Sequence, residues 1–322
     1  MTAGLLNGDA MKPATRFISC DWGTSRLRLR LVEFPSCRIL NEHATDEGIQ
    51  HLAQRHPAPE ERGEFLGQVL ERGIAALGCA GSADLRLVIS GMASSTLGWQ
   101  SLPYAELPAP IDGSTLRFVD FLHGNRQVRL VSGLRAASDV MRGEETELIG
   151  LFTTDSLRPW AEDCTVVLPG SHSKHVRLRG GRITDFTTFL TGELYELLGR
   201  SSTLAAPGEA DFDERTFLAG AQTGRSRGLS AALFQTRSRA VLGQLASRHS
   251  RAFLSGVLIG AEVAALVSVA PGRIVLAAAE QLAREYALAL DAILPDAAVV
   301  TISPADLANA IVQGHAKILS LA

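Results

Sequence analysis

Two short loops rich in glycine and hydroxyl side chains have the make-up of phosphate-binding turns. The first, Gly23-Thr24-Ser25, is reached from an apolar run, Phe17 to Cys20, through Asp21. A phosphate chain needs backbone N–H groups free to point at it, and glycine lets the backbone come close. Hydroxyls add short donors, and a carboxylate at the strand end can hold Mg²⁺, usually through water. Taken alone, the same residues also describe an ordinary hairpin loop with an aspartate cap. The second loop, Pro169-Gly170-Ser171-His172-Ser173-Lys174-His175, follows Val166-Val167-Leu168. Two facing loops of this kind could grip a triphosphate from both sides. Lys174, one of 3 lysines beside 28 arginines, is either a phosphate contact or a solvated side chain. His172 and His175 lack a third ligand, so the loop does not read as a metal site.

A third feature is the densest polar cluster in the chain, Asp139-Val-Met-Arg-Gly-Glu-Glu-Thr-Glu147, which runs into Leu148-Ile149-Gly150-Leu151-Phe152. It reads as the opening turn of a helix. A carboxylate there could accept the proton of a hydroxyl that attacks a γ-phosphate. The plainer alternative is an acidic N-terminus that complements the helix dipole. Gly256 and Gly260 sit one helical turn apart, so a flat group or another backbone could lie close, tight helix packing being the plainer account. Several nucleotide and hydrolase signatures are absent: GxxxxGK[ST], the HRD and DFG pair, GxGxxG after a strand, and GxSxG.

The elements that must carry these residues follow one plan used twice. After the first loop, Leu27, Leu29 and Leu31 alternate with Arg26, Arg28 and Arg30, the period of a half-buried strand. After the second, Val176 and Leu178 alternate with Arg177 and Arg179, and Gly180-Gly181 suits a two-residue hairpin turn. The copies start about 150 residues apart, roughly one domain length. Further strands are expected at Leu85–Ser90, Val128–Ser132, Ile274–Ala277 and Ala298–Ile302. Helices are expected near Glu60–Leu77 and over 190–199, 212–220, 230–247 and 252–269. A last helix opens at Ser303-Pro304-Ala305-Asp306, with Ser303 as its cap. Strands interleaved with helices make an α/β protein.

Composition narrows the partners. With 322 residues and 46% apolar content, the chain fits two cores. The 31 Lys and Arg nearly balance 34 Asp and Glu, so no long-range field draws it to nucleic acid or to an anionic membrane. Cys20, Cys37, Cys79 and Cys164 form no CxxC pair and read as reduced thiols of a cytoplasmic protein. Residues 1–15 read as a flexible leader without a secretory signal pattern. Ala252–Ala270 could mimic a membrane span, but Glu262 in its interior would cost about 2.5–3.5 kcal/mol in a bilayer, so it reads as a buried helix.

With its two loops and its acidic helix start, the chain resembles the superfamily of sugar kinases, hexokinases, heat-shock ATPases and actin. It is more closely similar to the 2-dehydro-3-deoxygalactonokinase family. The match is carried by Asp21-Trp22-Gly23-Thr24-Ser25, Ser90-Gly91-Met92 with Gly98-Trp99, Pro103-Tyr104, and Val140-Met141-Arg142-Gly143-Glu144-Glu145-Thr146 with Ile149-Gly150. Pro169 through Lys174, Thr191-Gly192-Glu193-Leu194, and Phe253-Leu254-Ser255-Gly256 through Ile259-Gly260-Ala261-Glu262 complete it. The resemblance implies ATP- and Mg²⁺-dependent phosphorylation of 2-dehydro-3-deoxy-D-galactonate on its 6-hydroxyl, in galactonate catabolism. It also implies two ribonuclease-H-like (actin-like ATPase) domains with an interdomain nucleotide cleft. The division expected is 16–135 and 136–322, the final helix being able to pack back on the first domain.

On that resemblance Asp21 organises Mg²⁺, and Gly23, Thr24, Ser25, Gly170, Ser171, His172, Ser173 and Lys174 hold phosphates. The helix around Gly256 and Gly260 lies near adenine. Glu144 is the general base by spacing, with Asp139 and Glu145 as competitors. Ser94, Trp99, Tyr104, Arg142, Thr191 and Glu193 are the candidates for the sugar acid. Two departures from relatives concern the nucleotide: His175 replaces an aromatic residue, and Ala279-Glu280 replaces a glycine and a small hydroxyl residue near adenine. The rival readings are a kinase of another sugar or sugar acid on the same fold, and an actin-like regulator that binds ATP without transferring phosphate.

Overall fold

The structure is a computed structural model that describes residues 16–56, 58–82, 84–204 and 211–321; the leader expected at 1–15 lies outside them. The chain forms two compact units. The first draws on Met1–Pro103, Arg117–Gly133 and His315–Ala322 as far as they are described, the second on Tyr104–Leu116 and Leu134–Gly314. Residues 104–116 thus group with the second unit and the end of the final helix with the first, beside an expected division at 135/136 that allowed the final helix to pack back on the first domain.

In the first unit, the strands Arg16–Trp22 and Leu27–Glu33 form the expected hairpin. Leu27, Leu29 and Leu31 are buried against Ile18, Cys20 and Trp22, and the arginines between them point the other way, as strand alternation requires. Each of these large apolar side chains contributes roughly 1.5–3 kcal/mol on burial. The sheet order is Ile39–Thr45, Leu27–Glu33, Arg16–Trp22, Arg86–Gly91, Arg126–Val131, Phe118–His123. Among the first three strands each neighbouring pair is antiparallel, and the Arg86–Gly91 and Arg126–Val131 strands run parallel to Arg16–Trp22. Helix Pro59–Ala76 supplies Leu66, Val69, Leu70 and Ile74 to this core. On the opposite face His315 is buried between the hydroxyls of Ser19 at 2.7 Å and Ser90 at 2.9 Å. Burial, with Arg30 as a lesser cause, pulls the His315 imidazole down to about 3, so the ring is neutral.

The second unit repeats this order. Reading from the third strand, Arg182–Phe189, Ser173–Arg179, Asp163–Leu168, Arg273–Leu276 and Ala298–Thr301 follow one another. The orientations match those of the first unit, two antiparallel pairs followed by two parallel ones. The turn at Gly180-Gly181 pairs Arg179 with Arg182. The edge strand is Ala109–Pro110. Helices Glu214–Ser226 and Ser250–Ala264 meet at backbone distance through glycines, and Glu280–Ile293 covers the sheet. Helix 229–241 stops short of the expected 247, at Leu242-Gly243, where Gly243 takes a φ of 71°. Among the described residues no helix is long and apolar enough to cross a membrane, and the four cysteines are unpaired.

Candidate active site

Asp21 is the penultimate residue of its strand, in register with Arg28 on one side and Ser90 on the other. Its half-buried carboxylate has the Arg28 guanidinium at 4.0 Å. The loop beyond it is held by its carbonyls: those of Gly23, Thr24 and Ser25 accept the backbone N–H groups of Ile49 at 3.0 Å, Gln50 at 3.1 Å and Gly48 at 3.2 Å. These three donors belong to the opening of helix Ile49–Arg55. In a planar trans peptide the N–H points opposite to the C=O. The amides of Thr24, Ser25 and Arg26 therefore turn away from that helix together, which is the geometry of an anion-binding concavity. Gly48 makes the docking possible, since a Cβ there would fall 2.2 Å from Ser25.

The second loop is anchored in the same way. The Ser171 carbonyl accepts the Glu193 N–H at 3.0 Å, in the first turn of helix Thr191–Ser201, so the His172 amide turns outward. A Cβ on Gly192 would meet the Gly170 oxygen at 2.4 Å. Gly170 borders open space, Ser171 and His172 are exposed, and the His172 ring meets the Glu193 carboxylate at 2.5 Å. Two expectations are corrected here. Ser173 is fully buried and bonded to Tyr286, and Lys174 is buried with its Nζ donating to the His172 carbonyl at 3.0 Å. The strand turns both inward, so neither is open to a phosphate.

Lys174 instead joins the loop to the acidic helix, Glu144–Leu151, by an ion pair of 2.9 Å to Glu144. Gly143 starts that helix with a φ of 111°, a region side chains avoid, and this bend aims the two glutamates differently. Glu144 is half-buried, with the Arg142 N–H on its other oxygen at 3.0 Å. Glu145 is fully buried, accepts the Gly143 N–H at 2.7 Å and the Thr146 hydroxyl at 3.1 Å, and is pushed up to about 8 by burial and then by the charge of Glu144. With no exposed surface it does not meet the access a general base needs. Asp139 accepts the Thr188 N–H at 2.6 Å, the Thr188 hydroxyl at 3.0 Å and the Val140 N–H at 2.7 Å. It serves as a strut to the Arg182–Phe189 strand. Among the three carboxylates only Glu144 is both partly open and tied to the loop.

The family of 2-keto-3-deoxy-galactonokinases matches residues 21–316. The chain belongs to this family. A Rhizobium meliloti (strain 1021) protein named as a probable 2-dehydro-3-deoxygalactonokinase is 34% identical over 268 residues, covering 79% of this chain and 81% of that protein. The 2-dehydro-3-deoxygalactonokinase of Escherichia coli (strain K12) is 34% identical over 266 residues, 78% of this chain and 80% of its own. A crystal structure from Sinorhizobium meliloti, assigned the same enzyme name, superposes with a TM-score of 0.78 at 30% identity, over 95% of this chain and 98% of the other. The activator of 2-hydroxyisocaproyl-CoA dehydratase from Clostridium difficile, solved with bound ADPNP, is similar in fold alone, with a TM-score of 0.50 and 11% identity over 94% and 93%. The expected class, α/β units of the ribonuclease-H-like, actin-like ATPase kind, is borne out.

Within this family member the remaining candidates fall into two groups. Tyr104 and Arg142 flank the small sheet of Ala105–Glu106, Leu134–Arg135 and Val140–Met141, which stacks the Arg142 guanidinium 4.2 Å from the Tyr104 ring centre. Glu193 sits beside the second loop, and Ala279 is exposed at the start of helix Glu280–Ile293, just beyond a parallel strand. The others are spent on structure. A Cβ on Gly256 would lie 2.1 Å from the Phe217 oxygen, and one on Gly260 2.2 Å from the Ala221 oxygen. These glycines pack helix against helix. Ser94 is buried with its hydroxyl on the Gly91 carbonyl, and Trp99 packs edge-on against Phe121 and His123. Thr191 is buried and donates to Glu262. Sequence reading missed Gly48 and Gly192 as the residues that let each loop dock. Their shared signal was a glycine in the opening of the helix that follows the third strand of each copy.

Proposed function

We propose that the chain transfers the γ-phosphoryl group of ATP to the 6-hydroxyl of 2-dehydro-3-deoxy-D-galactonate, giving 2-dehydro-3-deoxy-6-phosphogalactonate, in galactonate catabolism in the cytoplasm. The observation that carries the reading is a pair of loops, each locked onto a helix opening, the first through the carbonyls of Gly23, Thr24 and Ser25 and the second through that of Ser171. The amides of Thr24, Ser25 and Arg26 and that of His172 therefore face outward. Phosphoryl transfer is mainly positioning and charge stabilisation, and amides fixed in advance supply both without reorganisation.

In this reading Thr24, Ser25 and His172 meet phosphate oxygens through backbone amides, and the exposed Ser25 and Ser171 hydroxyls add donors. Glu144 orients the attacking hydroxyl and takes its proton. Its ion pair with Lys174 holds it in register with the loop. Arg142, held flat by Tyr104, offers a planar donor edge to the substrate carboxylate. Asp21 fits Mg²⁺ as a half-buried carboxylate at a strand end. Among the described residues no cluster of three or more His, Cys, Asp or Glu could make a protein cage, and Mg²⁺ usually takes one or two carboxylates plus phosphates and water. When bound, the ion neutralises charge on the transferring group.

A coupled assay of ADP release over a panel of 3-deoxy-2-keto sugar acids tests the reading. The expected result is turnover with 2-dehydro-3-deoxy-D-galactonate well above the other acids and simple sugars. Faster turnover with a different sugar would assign the chain to that substrate, and nucleotide binding without turnover on any acceptor would make it a regulator.

A further inference from the structure

We infer that Glu262 and Tyr286, two buried residues with no part in the chemistry proposed above, are positioning residues that set the shape of the second phosphate loop; the inference rests on that loop's role in holding nucleotide. Glu262 is 2% exposed, on helix Ser250–Ala264, and three groups converge on its carboxylate. His175 Nε2 lies 3.0 Å from one oxygen, and the Tyr286 hydroxyl at 2.7 Å and the Thr191 hydroxyl share the other. A carboxylate only accepts, so all three neighbours donate.

That requirement fixes the direction of a longer chain. Tyr286 has one hydroxyl hydrogen, and it goes to Glu262. Toward Ser173 Oγ, 2.8 Å away, Tyr286 therefore accepts, and Ser173 must donate. The Ser173 oxygen is left to accept, and it faces the Gly170 N–H at 3.4 Å. The hydrogens run one way, from the amide of Gly170 through Ser173 and Tyr286 to Glu262, an arrangement in which each bond polarises the next. The other two arms reach the same loop from behind. Thr191 opens the helix whose Gly192 and Glu193 hold the backbone of Gly170 and Ser171. His175 neighbours Lys174, the partner of Glu144. One carboxylate thus registers the loop amide, the helix that docks the loop, and the strand that carries Lys174.

A purely structural role makes a different forecast. Removing both partners of a buried hydrogen bond in favour of apolar groups of similar shape is nearly neutral for stability, so on that view the double variant Ser173→Ala with Tyr286→Phe recovers stability and keeps nucleotide affinity. The positioning role forecasts recovered stability with weakened nucleotide binding. The experiment uses the full chain. ADP and a non-hydrolysable ATP analogue are titrated calorimetrically, with melting temperature and the KM values for ATP and sugar acid measured alongside. Tyr286→Phe and Ser173→Ala should each weaken nucleotide binding and raise the ATP KM by about 5–10-fold, the worth of one buried hydrogen bond, while the sugar-acid KM stays within about twofold. The double variant should be no worse than the weaker single one, because both cut the same chain. Affinity within twofold of the parent in both single variants or in the double variant, or losses that multiply in the double variant, would overturn the inference. A parent protein that binds ADP but phosphorylates no sugar acid would refute the kinase reading and leave the binding comparison to decide this one. A parent that binds neither nucleotide would overturn both.

Discussion

Glu145 makes stability depend on pH in a direction that can be worked out in advance. Its carboxyl rises from an ordinary 4.5 to about 8 in the folded protein, through burial and the neighbouring Glu144 charge. The folded state therefore binds a proton that the unfolded state has released over the interval between those values. Stability from this group is complete below about 4.5, is lost as pH rises toward 8, and then levels off. At 1.36 kcal/mol per pH unit the full loss is about 5 kcal/mol, and the part between pH 6 and pH 9 is about 2–3 kcal/mol. For a unit of this size that is roughly 4–12 °C in melting temperature. Glu145→Gln should abolish it, because the amide oxygen still accepts the Gly143 N–H and the NH₂ can donate to Thr146. The assay is thermal or urea unfolding of parent and variant across pH 6 to 9, read as the difference between them so that other titrating groups cancel. The variant should gain on the parent steadily up to pH 8. A difference that stays constant across the range would refute the argument, since it would mean that Glu145 is ionised in the folded protein.

Other outcomes follow from the same geometry. Asp21→Asn should lower kcat/KM for Mg-ATP by about 10²-fold or more with little change in melting temperature; near-normal turnover would remove Asp21 from the metal's partners. Glu144→Gln should cut kcat by about 10²–10⁴-fold. Asp139→Asn should instead cost about 1–3 kcal/mol of stability, because the amide turns a donor toward groups that donate, and keep kcat within tenfold. The opposite pattern in steady-state kinetics would make Asp139 the base. Gly256→Ala should destabilise the second unit by about 1–3 kcal/mol, read by thermal unfolding, with the KM for ATP unchanged once the variant is folded; a selective rise in that KM would restore the glycine to the nucleotide site.

What was legible in the sequence was whatever has a local cause. Leu27, Leu29 and Leu31 alternate with arginines because one face of their strand is buried, and Gly180-Gly181 marks a turn that needs an unusual backbone. Ser303 caps its helix by accepting the Asp306 N–H at 3.1 Å. The Ile39–Thr45 strand escaped notice because it is a mostly exposed edge, with the polar run Asn41-Glu42-His43, and so shows no period. The inward turn of Ser173 and Lys174 escaped for another reason. Their loop reads as glycine, serine and lysine whichever way the side chains face, and the direction is set by Tyr286 and Glu144, 113 residues after Ser173 and in the preceding helix. Gly256 and Gly260 were legible as a close approach, and the visitor is a neighbouring helix, the plainer of the two readings.

The two copies of the hairpin explain why one scaffold needed a second chemistry. Both are locked onto a following helix, the first through the carbonyls of Gly23, Thr24 and Ser25 and the second through that of Ser171 alone. They differ at the strand end: the first carries Asp21, whereas the second carries Val167 and Leu168, buried and apolar. A second carboxylate at that place would repel a bound phosphate chain with no metal beside it to offset the charge. The acid that the second unit does supply comes from elsewhere, on the Glu144–Leu151 helix, and is neutralised on one side by Lys174. Exchanging the roles should therefore fail in a specific way. Lys174→Met leaves Glu144 unpaired beside the loop, so nucleotide affinity should drop more than in Glu144→Gln, and the double variant Lys174→Met with Glu144→Gln should bind nucleotide better than Lys174→Met alone. Calorimetric titration of ADP into the three variants checks this; equal affinities in the single and double Lys174 variants would show that the ion pair has no electrostatic bearing on the loop.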